Sequence, residues 1–301
     1  MSLSAGCQQY AQRADSAVNV CGSAIDVRFE GEPASLTRTD LLNWVRRAGE
    51  AVCTYYGRFP VPHVTLDVRV RGGAGVHGGT TYPDGGGYIS ISLGKETPAA
   101  QLNDDWMLTH EMIHLAFPSM AERHHWIEEG ISVYVEPIAR VQAGQLTAGR
   151  MWHDVVRDLA QGEPEAGDKG LDHTPTWGRT YWGGAMFCLL ADVRIRQQTG
   201  NRKGLQDALR GILAASGNIS QDWEIERALA TGDKATGTTV LVGLYHEMRD
   251  QPDPVDLAAL WKELGIRLER NGLIAFDPAA PLAAVRTAIT QAEPATQPGR
   301  N

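Results

Sequence analysis

The chain has 301 residues, 43% of them hydrophobic and 21% charged, which suits one large domain or two modest ones. Its formal net charge is −8 with no run of Lys or Arg, so neither nucleic acid nor an anionic membrane is expected as the main partner. No apolar run approaches the length of a membrane span.

The four cysteines predict no metal site of their own, because none of them forms a C-x-x-C pair. Cys53 and Cys188 lie in apolar helical patterns and are expected to be buried thiols. Cys7 and Cys21 can form a disulfide if the compartment is oxidising, but their spacing does not decide whether they do. The first residues lack the apolar segment of a signal peptide. The compartment is therefore left open: cytoplasmic, or periplasmic or secreted if a leader was removed from the natural protein.

The first hundred residues predict strands with one helix among them. Residues 1–24 are small and polar and form a lead-in segment, and residues 25–29 alternate like a short strand. A helix capped by Thr39 or Asp40 runs to about residue 56 with one apolar face. Two longer strands are predicted at 63–70 and 88–93.

Residues 72–87 are dense in glycine and predict a mobile loop between those two strands. They do not form a phosphate-binding loop, because Gly-Lys-Ser/Thr is missing and no G-x-G-x-x-G opens a helix. Two interpretations stand: a plain hairpin loop, or a strand edge that pairs with an extended substrate. In the second, the substrate-binding candidates are Gly75, His77, Gly78 and Gly79.

A predicted helix that follows residue 97 and stops before Pro118 carries H-E-x-x-H, with His110 and His114 on one face. Two neutral imidazoles are good ligands for Zn²⁺, which takes three protein ligands in a catalytic site. Glu111 lies beside them and can take a proton from a water molecule at the metal. Apolar residues surround the motif, so the helix is expected to be buried and its His and Glu side chains to need partners.

The third ligand is expected from a second helix at about 126–143. Glu128 and Glu129 lie about 100° apart round that helix, and periodicity does not decide between them. His124 and His125, in the connection before it, are rival ligands. The third-His pattern of metzincins is absent.

Helices dominate the rest of the chain. They are predicted at about 150–160, 186–198, 203–215, 221–230, 238–249 and 255–269, and residues 291–301 form a tail. The predicted fold class is α+β, with a small N-terminal mixed sheet and a mostly helical C-terminal part. One domain at 25–290 is expected, made of a β-rich lobe at about 25–96 and a helical lobe at about 97–290, with a cleft between them.

The sequence resembles the gluzincin zinc metallopeptidases, the clan of thermolysin-like (zincin) catalytic domains, and within it the glycyl and alanyl aminopeptidases. Three motifs carry the resemblance: H-E-x-x-H at 110–114, Trp-Ile-Glu-Glu-Gly at 126–130, which is similar to W-L-x-E-G, and Tyr-Trp-Gly-Gly-Ala at 181–185, which is similar to Y-x-K-G-A. Weaker similarity extends it over roughly residues 38–270. A thermolysin-like catalytic domain is therefore the expected fold.

The resemblance implies that Glu129, the Glu before Gly, is the third zinc ligand and that Tyr181 hydrogen-bonds the oxyanion of the tetrahedral intermediate. Three features depart from those families. Gly183 stands where they usually have Lys, and the connection from His114 to Glu129 is shorter. The stretch around 72–80 lacks the Glu of the G-A-M-E-N strand, with which alanyl aminopeptidases bind the substrate's amine. A metallopeptidase is expected, and amine recognition is not.

The expected function is hydrolysis of a peptide or protein substrate with Zn²⁺ as cofactor. The zinc ligands would be His110, His114 and Glu129, with Glu111 as general base and Tyr181 as oxyanion stabiliser. The alternative is a catalytically silent zinc-binding module that holds a peptide or partner on the same scaffold.

Overall fold

A computed structural model describes residues 14–292, which form a mixed N-terminal sheet and a largely helical remainder. The sheet contains five strands: Ser16–Val20 (β1), Ser23–Glu30 (β2), His63–Arg71 (β3), Val76–Tyr82 (β4) and Tyr88–Gly94 (β5). Their order is β1-β2-β3-β5-β4, with the three central strands parallel and each edge strand antiparallel to its neighbour. The predicted α+β arrangement is confirmed at this level.

Both edge strands lie where the sequence pattern predicted none. β1 falls in the segment expected as a lead-in, and β4 falls in the glycine-dense segment expected as a loop. Glycine and small polar residues have little strand propensity of their own. Pairing with β2 and β5 therefore adds to the few strand-forming residues that these segments contain, such as the buried Val18 and Val20 of β1.

Helix α1 (Arg38–Tyr56) starts with a capping box. The Thr37 hydroxyl accepts a hydrogen bond from the Asp40 amide at 3.1 Å, and the Asp40 carboxylate accepts one from the Thr37 amide at 2.8 Å. The cap is thus Thr37 rather than the predicted Thr39 or Asp40, because in a capping box the second side chain lies three positions after the cap and each side chain accepts from the other residue's amide. Gly57 ends the helix in a left-handed conformation.

A disulfide joins Cys21, in the turn between β1 and β2, to Cys53 in α1. The prediction that Cys53 is a buried thiol is wrong, and Cys21 is not available for Cys7, which lies outside the described residues. The pairing depends on the turn lying against α1, a tertiary contact that cysteine spacing does not reveal. Cys188 is buried and free, as predicted.

The predicted helix over the H-E-x-x-H motif is broken in two: α2 (Ala99–Asp104) and α3 (Met107–His114). Asp105 between them is extended, and its carboxylate accepts hydrogen bonds from the amides of Met107 and Leu108 at 3.1 and 3.2 Å. The same carboxylate accepts a bond from Trp44 Nε1 at 2.7 Å. An Asp whose carboxylate caps one helix is not itself helical, so it ends the preceding helix and α3 begins after it. The bond from Trp44 to the same carboxylate ties the start of α3 to α1.

The helical part follows in the order α4 (His125–Gln142), α5 (Ala148–Asp158), α6 (Gly184–Thr199), α7 (Leu205–Ala214), α8 (Ile225–Thr236), α9 (Val240–Met248), α10 (Leu257–Leu264) and α11 (Ala283–Thr290). The predicted helix at 255–269 ends early, because Gly265 is left-handed and residues 266–268 pair with 274–276 as a two-stranded sheet. In the connection between α3 and α4, the Ser119 hydroxyl donates a hydrogen bond to the Ile219 carbonyl at 3.1 Å.

One continuous core connects the sheet, α1, α3, α4 and α6. The central strands contribute fully buried Val, Leu and Ile side chains, and α3 contributes Leu108, Met112 and Ile113, each 0% exposed. The motif helix is therefore buried, as predicted. Among the described helices, none is both long enough and apolar enough to cross a bilayer.

Candidate active site

Helices α3 and α4 bring three potential metal ligands to one point. His110 and His114 lie one turn apart on α3, and Glu129 faces them from α4. Glu129 Oε2 is 3.1 Å from His110 Nε2 and 3.6 Å from His114 Nε2. One ligand atom from each residue falls within 4.8 Å of the others. Two imidazole nitrogens and a carboxylate oxygen, all converging in a buried site, match the donor set that Zn²⁺ takes in catalytic sites.

The geometry distinguishes Glu129 from its neighbour Glu128. Glu128 points toward the connection before α4, where its Oε1 accepts a hydrogen bond from the Met120 amide at 3.4 Å. Glu129 is 8% exposed and faces α3. Burial opposes ionisation of Glu129, but hydrogen bonds from three imidazoles outweigh it and hold the pKa of this carboxyl below its usual range.

The two oxygens of Glu129 have different neighbours. Oε2 faces the α3 histidines, whereas Oε1 is 3.3 Å from Nε2 of His125, one turn earlier on α4. The other ring nitrogen of His125 is 3.4 Å from Glu128 Oε2. Hydrogen bonds to Glu128 and then Glu129 raise the pKa of His125 to about 10. The contact of His125 with Oε1 thus orients the Glu129 carboxylate so that Oε2 faces His110 and His114.

His124 lies outside this cluster, although the sequence left it as a rival ligand. Its ring is buried, with Nε2 3.3 Å from both Asp172 Oδ2 and the Tyr245 hydroxyl. That hydroxyl donates to Asp172 at 2.7 Å. His124 belongs to a polar network behind α4.

Glu111 is 6% exposed and is held by the edge strand β4. The Thr81 hydroxyl lies 2.6 Å from Glu111 Oε2 and 2.9 Å from the Glu111 carbonyl. Two residues earlier, Gly79 lies so close that a Cβ there would stand 2.5 Å from Glu111 Cγ. Residues two apart in a strand share a face, so Gly79 makes room for this carboxylate and Thr81 orients it.

Tyr181 reaches the same site from a π-helical turn, Gly178–Gly183, that leads into α6. Such turns are frequent at functional sites because they redirect a side chain within a helix. Buried Arg179 anchors the turn: its Nε lies 2.8 Å from Asp168 Oδ2, and its Nη1 donates to the Gly162 carbonyl at 2.5 Å. Burial, followed by the charges of Glu129 and Glu111, raises the pKa of Tyr181, so its phenol stays protonated at neutral pH.

A contact between two glycines brings α4 against the start of α6. A Cβ on Gly130 would stand 2.3 Å from the carbonyl carbon of Gly184, and a Cβ on Gly184 would stand 2.1 Å from the Trp126 carbonyl oxygen. Only glycine at both positions lets the backbones approach this closely. Because Glu129 precedes Gly130 and Tyr181 lies three residues before Gly184, the contact places both beside the α3 histidines.

Part of this site lines a cleft of about 940 Å³. Glu111, His110 and Tyr181 line it, together with Gly78 and Gly79 of β4. The other two substrate-binding candidates lie elsewhere. The Gly75 amide is buried and donates to the Thr97 hydroxyl at 2.8 Å, and His77 is exposed. The glycine-dense segment is therefore part of the cleft wall, but through only two of the four predicted residues.

Two residues of the site were not predicted from sequence as contributors to its geometry. Thr81 carried a weak signal, since it alternates with Gly79 in what proves to be a strand. From sequence, His125 was considered only as a rival metal ligand. Its contact with Glu129 Oε1 follows from the i, i+4 spacing of the two residues on α4.

No protein-family model matches the chain, and no curated protein matches it. Among solved structures, it is similar to an aminopeptidase N family protein from Idiomarina loihiensis, with a TM-score of 0.64 and 14% identity over 84% of this chain and 49% of that one. It is also similar to a mutant M1 zinc metallopeptidase from Deinococcus radiodurans, with a TM-score of 0.50 and 12% identity over 81% of this chain and 53% of that one. A mutant of that enzyme with a bound Tyr-Ser-Ala substrate gives a TM-score of 0.51 at 13% identity, over 81% of this chain and 53% of that one.

These likenesses concern the fold, which is similar to that of M1 metallopeptidase domains. The chain spans about half the length of the structures that it matches.

The glycine contact between α4 and α6 can be tested through stability. Gly130→Ala would place a methyl group 2.3 Å from a backbone atom of Gly184, so the free energy of unfolding is expected to fall by at least about 1–3 kcal/mol. Gly149→Ala is the matched control, because this α5 glycine has nothing within 4 Å of its added Cβ. That control is expected to raise stability by up to about 1 kcal/mol. Equal effects in urea denaturation would contradict the proposed contact.

Proposed function

We propose that the protein is a zinc-dependent peptidase. The observation that carries this proposal is the convergence of three potential metal ligands, His110, His114 and Glu129, next to the Glu111 carboxylate and the Tyr181 phenol, which line the cleft together with His110. His110, His114 and Glu129 would hold the metal, which supplies a Lewis acid and an acidified water when bound. The fold similarity to M1 zinc metallopeptidases supports this choice among metal-dependent reactions.

Glu111 acts as the general base in this proposal. The cluster of three potential ligands does not include it, so its carboxylate is available for proton transfer. Thr81 donates to Oε2 at 2.6 Å and orients the carboxylate. Glu111 takes a proton from the attacking water and delivers it to the leaving amine.

Tyr181 stabilises the oxyanion that develops on the substrate carbonyl. Its raised pKa keeps the phenol as a hydrogen-bond donor at neutral pH. A donor held in a partly buried site stabilises a developing negative charge more strongly than water does. Its backbone is fixed by the Arg179 anchor, so little reorganisation is needed during the reaction.

The substrate binds in extended form along β4. This strand is at the edge of the sheet, and its residues Gly78 and Gly79 line the cleft beside Glu111. An edge strand offers unpaired backbone groups that can bond to an added peptide strand. No Glu from β4 is available to bind a substrate amine, so the proposal extends to peptidase activity and not to a preference for free N-termini.

We also propose an oxidising compartment for the folded protein. The Cys21–Cys53 disulfide supports it, because such bonds persist outside the cytosol and are rare within it.

Metal content tests the ligand set. The wild-type protein, purified without chelator, is expected to contain about one zinc per chain, and Glu129→Ala is expected to lose most of it. Glu128→Ala is the matched control, since this neighbouring carboxylate points toward Met120 and should leave the zinc in place. Elemental analysis of the three proteins gives the answer. Zinc retained in Glu129→Ala but lost in Glu128→Ala would reverse the assignment.

Glu111→Gln tests the general base. The variant keeps the shape of the side chain and is expected to keep the zinc. Its kcat for peptide cleavage is expected to fall at least about 100-fold, because no carboxylate is left to accept the proton. Cleavage of a mixed peptide library and zinc content are measured on the same preparation. Substantial residual turnover would exclude Glu111 as base. A wild type that binds zinc and peptides but cleaves none would instead be the silent binding module.

Tyr181→Phe tests the oxyanion donor. Removing one hydroxyl from a partly buried ring is expected to lower kcat by about 100-fold while KM changes little. The matched control is Tyr88→Phe, since Tyr88 lies on β5 outside the cleft lining and its hydroxyl donates to Asp67 at 2.9 Å. An unchanged kcat in Tyr181→Phe would assign this residue a structural role only.

A further inference from the structure

Two of the largest apolar side chains of the protein are exposed at the cleft. Trp106 is 48% exposed and Trp177 is 60% exposed, and both line it. Tryptophan buries a large apolar area when it is covered, so exposed rings in a concave surface are typical of a binding site. Scattered exposed hydrophobic residues need no explanation, but these two are brought together in one cleft from segments 71 residues apart in sequence.

Each of the two rings lies against a residue of the proposed active site. Trp106 directly precedes α3, and its ring meets that of His110 edge to face at 5.6 Å. Trp177 directly precedes the π-helical turn, and its ring stacks on that of Tyr181 at 5.8 Å. The exposed faces of both tryptophans therefore adjoin the place where the bond would be cut, rather than a remote part of the cleft.

The arginines that line the cleft are paired with carboxylates of the same cleft. Its three arginines have carboxylate partners within 3.0 Å: Arg140 with Glu136, Arg150 with Asp154, and Arg157 with Asp154. Among the described cleft residues, no arginine is left to bind an acidic substrate side chain. The lining also includes the apolar residues Met107, Val133, Leu146, Met151, Val155 and Trp182. The cleft thus offers apolar surface next to the reacting groups.

We propose that Trp106 and Trp177 form a subsite for an aromatic or large aliphatic side chain beside the scissile bond. The substrates would be peptides with Phe, Tyr, Trp or Leu at that position, and the side chain would cover the exposed faces of the two rings. This assignment rests on the proposed peptidase function, and it determines which peptides are cut rather than whether they are cut.

Cleavage kinetics test the preference directly. Internally quenched peptides carry one variable residue, Phe, Leu, Ala, Glu or Lys, on either side of a fixed cleavage position. The wild type is expected to have a kcat/KM at least about tenfold higher for Phe or Leu than for Ala. Trp106→Ala and Trp177→Ala should each bring that ratio down toward one, and the ratio is the readout because each ring also contacts a residue of the proposed active site, so that kcat/KM for every peptide can fall together. The Phe replacements should keep most of the ratio, which a purely structural role would not explain.

Leu273→Ala is the control, since this 64% exposed leucine lies outside the cleft lining and should leave every ratio unchanged. A wild-type preference for Glu or Lys, or ratios insensitive to both tryptophans, would overturn the subsite while leaving the peptidase proposal intact.

An equilibrium measurement separates the subsite from catalysis. Calorimetry on Glu111→Gln compares two blocked tetrapeptides that differ only by Phe or Ala at the variable position. Tighter binding of the Phe peptide that is lost with an added Trp106→Ala or Trp177→Ala supports the subsite even if the wild type cleaves nothing. Equal affinities for the two peptides would refute it.

Discussion

The backbone contact between Gly130 and Gly184 is the constraint on which the candidate site depends. Any Cβ at either position would overlap the opposing chain, so α4 and the start of α6 can cross only at these glycines. The crossing fixes Glu129, one residue away on α4, against α3. It also fixes the π-helical turn that carries Tyr181. The resemblance of both segments to peptidase motifs thus has a packing reason: the glycines beside the candidate site residues allow the two helices to meet.

The part of the site that lies on a single helix could be predicted from sequence. His110 and His114 share a face because a helical turn separates them, whatever the rest of the fold does. The choice of Glu129 over Glu128 could not be made in this way, because it depends on how α4 is rotated against α3. The role of Thr81 could not be predicted either, because its alternation with Gly79 is only a weak signal and its contact with Glu111 depends on β4 lying beside α3.

The fold was predictable where local propensity and tertiary structure agree, and not where tertiary contacts dominate. The central strands are rich in β-branched residues, and their pattern alone located them. β4 contains Gly78 and Gly79 within a glycine-dense segment, and its pairing with β5 is not visible in its sequence, which therefore looked like a loop. Asp105 broke the predicted motif helix because its carboxylate bonds to Trp44 of α1 as well as to the following amides. In both cases the local structure depends on a residue or strand that is distant in sequence: β5 for β4, and Trp44 for Asp105.

Electrostatics explain why this arrangement suits a divalent metal. Glu111 and Glu129 are 6% and 8% exposed, so two carboxylates lie together where water screens them little. Burial and these two charges raise the pKa of Tyr181, because a phenolate there would be a third negative charge beside the two carboxylates. A bound cation would offset the repulsion, and because the ligands come from two helices it would stabilise only the folded arrangement. Three ligands are enough to hold that cation, and Glu111, oriented by Thr81 outside the ligand set, is then the carboxylate left to carry a proton.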